Sequence, residues 1–355
     1  MKREMINDSV PVSEKLPVFV VAEMSANHLK DFGRAVAIIE AAKEAGADAV
    51  KVQTYTPDTI TLKSDHTCFQ ITQGTIWDGT TLYQLYQTAY MPWEWQPRLK
   101  EIAEKLGLVF FSAPFDLTSV DFLEEMNLPV YKIASFEIND IPLIRKVAQT
   151  GKPIIMSTGV AYLSDIELAM KICKDTGNEN VTLLKCTSAY PAPYEDINLR
   201  GIPVLKEIFG CTVGLSDHTM GNAVSCAGVA LGAKVVEKHL TLSRADGGPD
   251  AFFSMEPMEF KEMVDQIRLT EKALGSAVYD LTEKQIRSRE HARSLFIAKD
   301  MKAGDIFTVE NLRSVRPSCG LHTMYYEQLL GRKILQDAVM GTPLSWKLVD
   351  LREDK

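Results

Sequence analysis

From residue 17 onward, short apolar runs rich in β-branched residues alternate with longer stretches whose apolar positions recur at helical spacing. The runs are PVFVVAEMSAN, DAVKVQTY, LVFFSAPF, PVYKIASF, PIIMSTG, VTLLKCTSAYP, TVGLSDHT and KVVEKHLT. Segments such as FGRAVAIIEAAKEAGA and SDIELAMKICKDTG between them predict helices. Eight β–α units over roughly 260 residues match the (β/α)8 TIM barrel in number and size. A doubly wound open sheet is the alternative, but no Gly-rich phosphate loop follows the first run. One connection is long: about 40 residues, including the aromatic-rich TIWDGTTLYQLYQTAYMPWEW, follow DAVKVQTY. It predicts either an active-site lid or a packed insertion over the barrel mouth.

The pattern ends after FKEMVDQIRLTEKALG. Residues 279–292 are highly charged and read as a linker, and short strands and turns follow. Asp300, Gly304 and Phe307 align with Asp337, Gly341 and Leu344 at constant spacing, which predicts a small β-rich domain with two related hairpin-like halves. The expected organisation is an extension over 1–16, a barrel over 17–278, a linker over 279–292 and a small domain over 293–355.

The 355-residue chain is 46% hydrophobic and 24% charged, ordinary globular composition, and its net charge of −8 argues against nucleic-acid binding by bulk charge. Its six cysteines form no CxxC pair, which excludes a disulfide framework or zinc knuckle and favours a reducing, cytoplasmic setting. No signal-peptide pattern and no apolar stretch of membrane-spanning length is expected.

Barrel chemistry sits at the C-terminal ends of the strands. Those ends carry Glu23, Asn27 and His28; Lys51 and Gln53; Ser112; Lys132 and Ser135; Ser157 and Thr158; Lys185, Thr187, Ser188 and Tyr190; Ser216, Asp217 and His218; and Glu237, Lys238 and His239. Lysines and hydroxyls in this number suit an anionic, phosphate-bearing ligand. His218 and His239 end consecutive strands, and closure brings Glu23 beside them, so two imidazoles can form a divalent-metal site with open positions. Strand alternation puts Lys238 on the face opposite His239, where it is expected to snorkel outward. Lys185 offers a rival chemistry, a Schiff base with a carbonyl substrate; otherwise it pairs with Glu237 or a nearby carboxylate.

The motifs AEMSANH (22–28), GADAVKVQTYTPDTITL (46–62), PVYKIASFE (129–137), LLKCTSAYPAP (183–193), GLSDHT (214–219), EKHLTL (237–242) and GGPD (247–250), with Arg316 and Pro317, resemble the sialic acid synthase family over nearly the whole chain. QTYTPDTITL with TLYQLYQTAYMPWEW looks more like the family's pseudaminic branch than its N-acetylneuraminate branch. The resemblance implies a (β/α)8 barrel joined to an antifreeze-like SAF domain of β-clip type. It implies condensation of phosphoenolpyruvate with an open-chain amino-sugar aldehyde, for this branch a diacetamido-trideoxyhexose of altrose configuration, with C–O cleavage releasing phosphate; the alternative is an N-acetylneuraminate or legionaminic acid synthase with the same mechanism. It further implies a divalent metal, Mn²⁺ before Mg²⁺ or Co²⁺, on His218 and His239, and Glu23 as acid/base. Lys51, Lys132, Ser135, Ser157, Ser188 and Ser216 would bind phosphoenolpyruvate. Asn27, Gln53, Tyr190 and Asp250 would face the sugar, with Arg316 entering the partner barrel of a domain-swapped homodimer. The chain departs from the family pattern at Leu29 and Lys30, where relatives often have Asn-Gly, and at Ala113, where many have Thr.

Overall fold

The computed structural model describes Val12 and residues 16–352 except 73, 75 and 76; most of the 1–16 extension therefore lies outside the described residues. Two compact units divide after Gly275.

In the first unit eight parallel strands close into a barrel: β1 (Phe19–Glu23), β2 (Ala49–Thr54), β3 (Val109–Pro114), β4 (Tyr131–Ile133), β5 (Ile154–Ser157), β6 (Val181–Cys186), β7 (Thr212–Asp217) and β8 (Val235–His239). β1 pairs with both β2 and β8, which closes the ring and sets Glu23 beside Lys51 on one side and His239 on the other. Helices follow the strands, and their apolar faces pack on the outward strand residues, as Ile38 and Ile39 do with Val20, Val50 and Val52. The inward residues change character one pleat at a time. Phe19, Val21, Ala49, Phe111, Val130, Ile155, Leu184 and Val235 fill the lower barrel as a separate apolar cluster, and Val12 joins it. One pleat higher the same faces carry Glu23, Lys51, Lys132, Ser157, Cys186 and Glu237. Gly214 is required on this inner face: a Cβ there would meet Leu184 and the Val235 carbonyl at 2.6 Å.

The long connection after β2 contains helices at Pro57–Ile60 and Leu82–Ala89. Tyr86 of the second helix packs edge-on against Tyr55, and Trp93 donates to the Tyr55 carbonyl at 3.0 Å.

In the second unit β9 (Ser294–Ile297) pairs antiparallel with β10 (Leu312–Val315). The internal repeat is visible in reciprocal bonds. Asp300 accepts from the Met340 N–H at 2.7 Å, and its counterpart Asp337 accepts from the Ala303 N–H at 2.8 Å. Gly304 and Gly341 take φ of 94° and 90°, and Phe307 and Leu344 are both buried in this unit's core. The charged segment before β9, expected as a linker, contains a short exposed helix, Glu283–Arg289, started by the Thr282–Gln285 capping box and carrying a Glu283–Arg287 pair.

Candidate active site

The barrel mouth gathers the polar inward residues into two halves. In the first, Lys132 from β4 donates to Ser157 Oγ of β5 at 2.6 Å and to the Ile133 carbonyl at 2.9 Å. Burial pulls its ammonium down to about 8, against nearby carboxylates that favour the charge. Beside it the Gly159 N–H donates to Ser135 Oγ at 3.1 Å. A Cβ on Gly159 would strike Ser188 Oγ at 2.2 Å and Cys186 Sγ and Ser135 Oγ at 2.8 Å. Only glycine lets backbone approach this ring of hydroxyls, which is how a loop cradles an oxyanion.

In the second half, Lys51 Nζ lies 2.9 Å from Glu23 Oε2 and 3.3 Å from Glu237 Oε1. Burial raises Glu23, the carboxyl of this set that favours holding a proton, while Glu237, also pressed upward by burial, is brought down by Lys51 and Lys132. Gln53 donates to Glu23 Oε1 at 3.0 Å and to Ser25 Oγ at 2.9 Å, and Ser25 in turn donates to Asp250. Ser216 donates to Glu237 at 3.2 Å.

The imidazoles of His218 and His239 stand on adjacent strand ends with ring centroids 5.4 Å apart. His218 Nδ1 lies 3.1 Å from the Thr187 carbonyl, which can only accept, so Nδ1 carries the proton and Nε2 is left for a ligand. Burial and the neighbouring His218 hold His239 well below the usual range, in the neutral form a metal ligand needs. Tyr190 packs against His218 (4.5 Å between centroids) and Phe253 against His239 (5.0 Å), and Trp77 of the insertion meets Tyr190 edge-on.

Buried polar atoms at this end that lack a hydrogen-bond partner include Glu237 Oε2, His239 Nδ1, Glu137 Oε2 and Asn27 Oδ1. Such groups are costly in a finished interior and mark where further ligands fit. Against its burial, Cys186, the Thr187 carbonyl and Glu237 raise His218, so a metal there would displace a proton that His239 does not hold. Two imidazoles, with no third His, Cys, Asp or Glu completing a cage among the described residues, fit a metal whose other positions are open to substrate and water.

Three sequence expectations need correction. Ser112 points outward, bonded to Thr54 Oγ1 at 2.6 Å beneath the Gln96 side chain, because it is out of phase with the inward residues of β3. Lys238 does not snorkel; it is 1% exposed and bonded to Asp217 at 2.8 Å. Lys185 lies against Gly201 in the helix layer and donates to the Cys186 carbonyl at 2.8 Å, so it neither pairs with Glu237 nor offers a Schiff-base amine in the mouth. Asn27 is fully buried, tying the loop after β1 to the Leu240 carbonyl and Ser254 Oγ. Arg316 is exposed just beyond β10.

The sequence reading missed Gly159, Cys186 and Glu137. Burial pushes the Cys186 thiol up, but the charge and hydrogen bond of His218, with the Ser135 hydroxyl and the Lys132 ammonium, together bring it to about 6. Burial raises Glu137, beside Lys132, to about 7.

A model of the NeuB family matches residues 38–279, and an SAF domain model matches 292–350. The chain belongs to the NeuB family. It is 47% identical over 327 residues to the pseudaminic acid synthase of Campylobacter jejuni subsp. jejuni serotype O:23/36 (strain 81-176), covering 92% of this chain and 95% of that protein. It is 46% identical to the Helicobacter pylori (strain ATCC 700392 / 26695) pseudaminic acid synthase, covering 93% and 97%. Among solved NeuB-like structures, the N-acetylneuraminic acid synthetase of Leptospira borgpetersenii serovar Hardjo-bovis superposes with TM-score 0.68 at 31% identity, covering 77% of this chain and 90% of that one. The resemblance read from GLSDHT, EKHLTL and the other motifs is therefore shown, as is the barrel-plus-SAF fold.

Proposed function

We propose that this chain condenses phosphoenolpyruvate with the open-chain aldehyde of 2,4-diacetamido-2,4,6-trideoxy-altrose and water, giving pseudaminic acid and phosphate. The observation that carries this is one barrel mouth holding both a buried lysine–hydroxyl–glycine cradle and two imidazoles flanked by carboxylates. The identity with proteins named pseudaminic acid synthase supports the choice of sugar.

Lys132, Ser157, Ser135, Ser188 and the Gly159 N–H receive the phosphate, and Lys51 and Ser216 orient the carboxylate. Charge-assisted donors in a water-poor site hold the enol with C3 toward the aldehyde. Gln53, Tyr190, Asp250 and Asn27 shape the sugar side, and Arg316 completes it from the partner subunit of a homodimer. A divalent metal held by His218 and His239, Mn²⁺ before Mg²⁺ or Co²⁺, would supply Lewis-acid polarisation of the aldehyde oxygen. As C3 bonds to the aldehyde carbon, Glu23, whose burial favours the protonated form, delivers a proton to the new alkoxide. Glu137, raised to about 7, takes the proton from the water that adds at C2. The C2–O bond to phosphate then breaks as the new C2 hydroxyl becomes the keto oxygen, and the departing phosphate, which keeps the bridging oxygen, takes that hydroxyl's proton. Free thiols throughout fit a reducing, cytoplasmic setting.

Phosphoenolpyruvate labelled with ¹⁸O at the bridging position tests the bond cleavage. The label should appear in the released phosphate. Unlabelled phosphate would mean P–O cleavage and overturn this chemistry.

A further inference from the structure

We propose that Lys238 and Asp217 are positioning residues for the two-histidine site, acting through the backbone from the outer face of the same strands. The proposal rests on the reading that His218 and His239 hold the metal. β7 and β8 pair with Asp217 opposite Lys238, so alternation turns these two toward the helices while His218 and His239 turn inward. The ammonium of Lys238 has three protons and three acceptors: Asp217 Oδ2 at 2.8 Å, the Thr219 carbonyl at 2.7 Å and the Gly221 carbonyl at 2.9 Å. Asp217 is equally complete. Its Oδ1 accepts from the Thr219 N–H at 2.9 Å and the Thr219 hydroxyl at 2.7 Å, and its Oδ2 accepts from Ser225 at 2.7 Å besides the ammonium.

The bonds from Lys238 therefore fix the backbone on both sides of His218, from Asp217 to Gly221, and through Ser225 they reach the helix Ala223–Ala230. The same lysine precedes His239, so one buried ion pair sets the relative position of the strand ends that carry both imidazoles. With only two protein ligands among the described residues, metal affinity depends on those rings being ordered before the ion arrives. A lysine serving only the stability of the strand ends would change unfolding and leave the affinity of the folded protein alone.

The test is Mn²⁺ binding to the full-length protein without substrates, followed by the free-ion magnetic resonance signal, beside thermal unfolding. Wild type should bind Mn²⁺, and His239→Ala should lose that binding. Lys238→Met should weaken it about tenfold or more, the range for groups that orient metal ligands, with turnover recovering at saturating Mn²⁺. Ser225→Ala, which removes a single bond to Asp217, should weaken it about two- to threefold and keeps the test available if Lys238→Met does not fold. Wild-type affinity in folded Lys238→Met, or in Ser225→Ala when the first does not fold, overturns the proposal even if the unfolding temperature drops. Equal binding in wild type and His239→Ala would remove the metal reading itself, and the proposal with it.

Discussion

The two faces of β7 and β8 treat buried polar groups in opposite ways. Outward, Asp217 and Lys238 fill every donor and acceptor they own from neighbours within the fold. Inward, Glu237 and His239 each keep a buried atom with no partner. Both faces exclude water, so the difference is not exposure. A satisfied network is finished structure, whereas an unsatisfied one is an interior whose remaining partners come from ligands. The contrast extends round the barrel, where Ser112 and Thr54 bond to each other behind the strands while Ser135, Ser188 and Cys186 crowd Gly159 in the mouth.

The largest effect should come from breaking the inner face. His218→Ala or His239→Ala is expected to lower kcat by about 1,000-fold or more, because polarisation of the reacting carbonyl is worth several kcal/mol; excess Mn²⁺ should not restore it. Full activity of either variant in metal-stripped buffer would sink the metal role.

Lys132→Met should lower kcat/KM for phosphoenolpyruvate about 100-fold, the loss of two charge-assisted contacts, yet leave the free protein more stable at pH 7. Lys132 is held at about 8 against an ordinary 10.5, so the unfolded chain binds its proton more strongly than the folded one. The resulting penalty on folding is fully developed below about 8 and fades as pH rises toward 10.5. The variant's advantage in Tm should fade over the same window; a lower Tm at every pH would contradict this account.

The same ammonium gives a smaller, pH-resolved effect. In wild type kcat/KM for phosphoenolpyruvate should fall about tenfold per unit once pH passes about 8, as the cation is lost. Lys132→Met should show no such limb.

Arg316→Ala sharpens the comparison from outside the barrel. It should raise KM for the sugar roughly tenfold, the scale of one hydrogen bond to a charged group, and spare KM for phosphoenolpyruvate. An unchanged sugar KM would count against a partner's arginine in the site.

Much of this was legible because alternation along a strand is a strict code. Once Lys51 is placed inward, Gln53 must follow, and the eight apolar runs announce eight strands. The repeat in the small domain was legible for a similar reason, since Gly304 and Gly341 both need left-handed backbone. What escaped depends on tertiary closure. Period alone turns Lys238 outward but cannot show that the segment after β7 folds over it with two carbonyls. Cys186 meets His218 only through barrel closure, 32 residues on, and Gly159 meets Ser188 and Ser135 from two other strand ends, so neither carries a local signal. Glu137 sits in a short turn after β4, and its raised affinity for a proton comes mainly from burial, with the Asp140 carboxylate adding to it, and burial is a property of the closed fold. Ser112 was legible and misplaced, because its phase on β3 already turned it away from the mouth.

The central claim is that the open inner face is completed by phosphoenolpyruvate, a metal and one particular sugar. Phosphate release from phosphoenolpyruvate, measured in parallel with the 2,4-diacetamido-2,4,6-trideoxy-altrose, the legionaminic acid precursor and N-acetylmannosamine, each with Mn²⁺ or with EDTA, tests it most directly. Release with the altrose-configured sugar alone, abolished by EDTA, is the predicted result. Release with another sugar would move the chain to a sister activity, and phosphate release with none of the three would contradict the account.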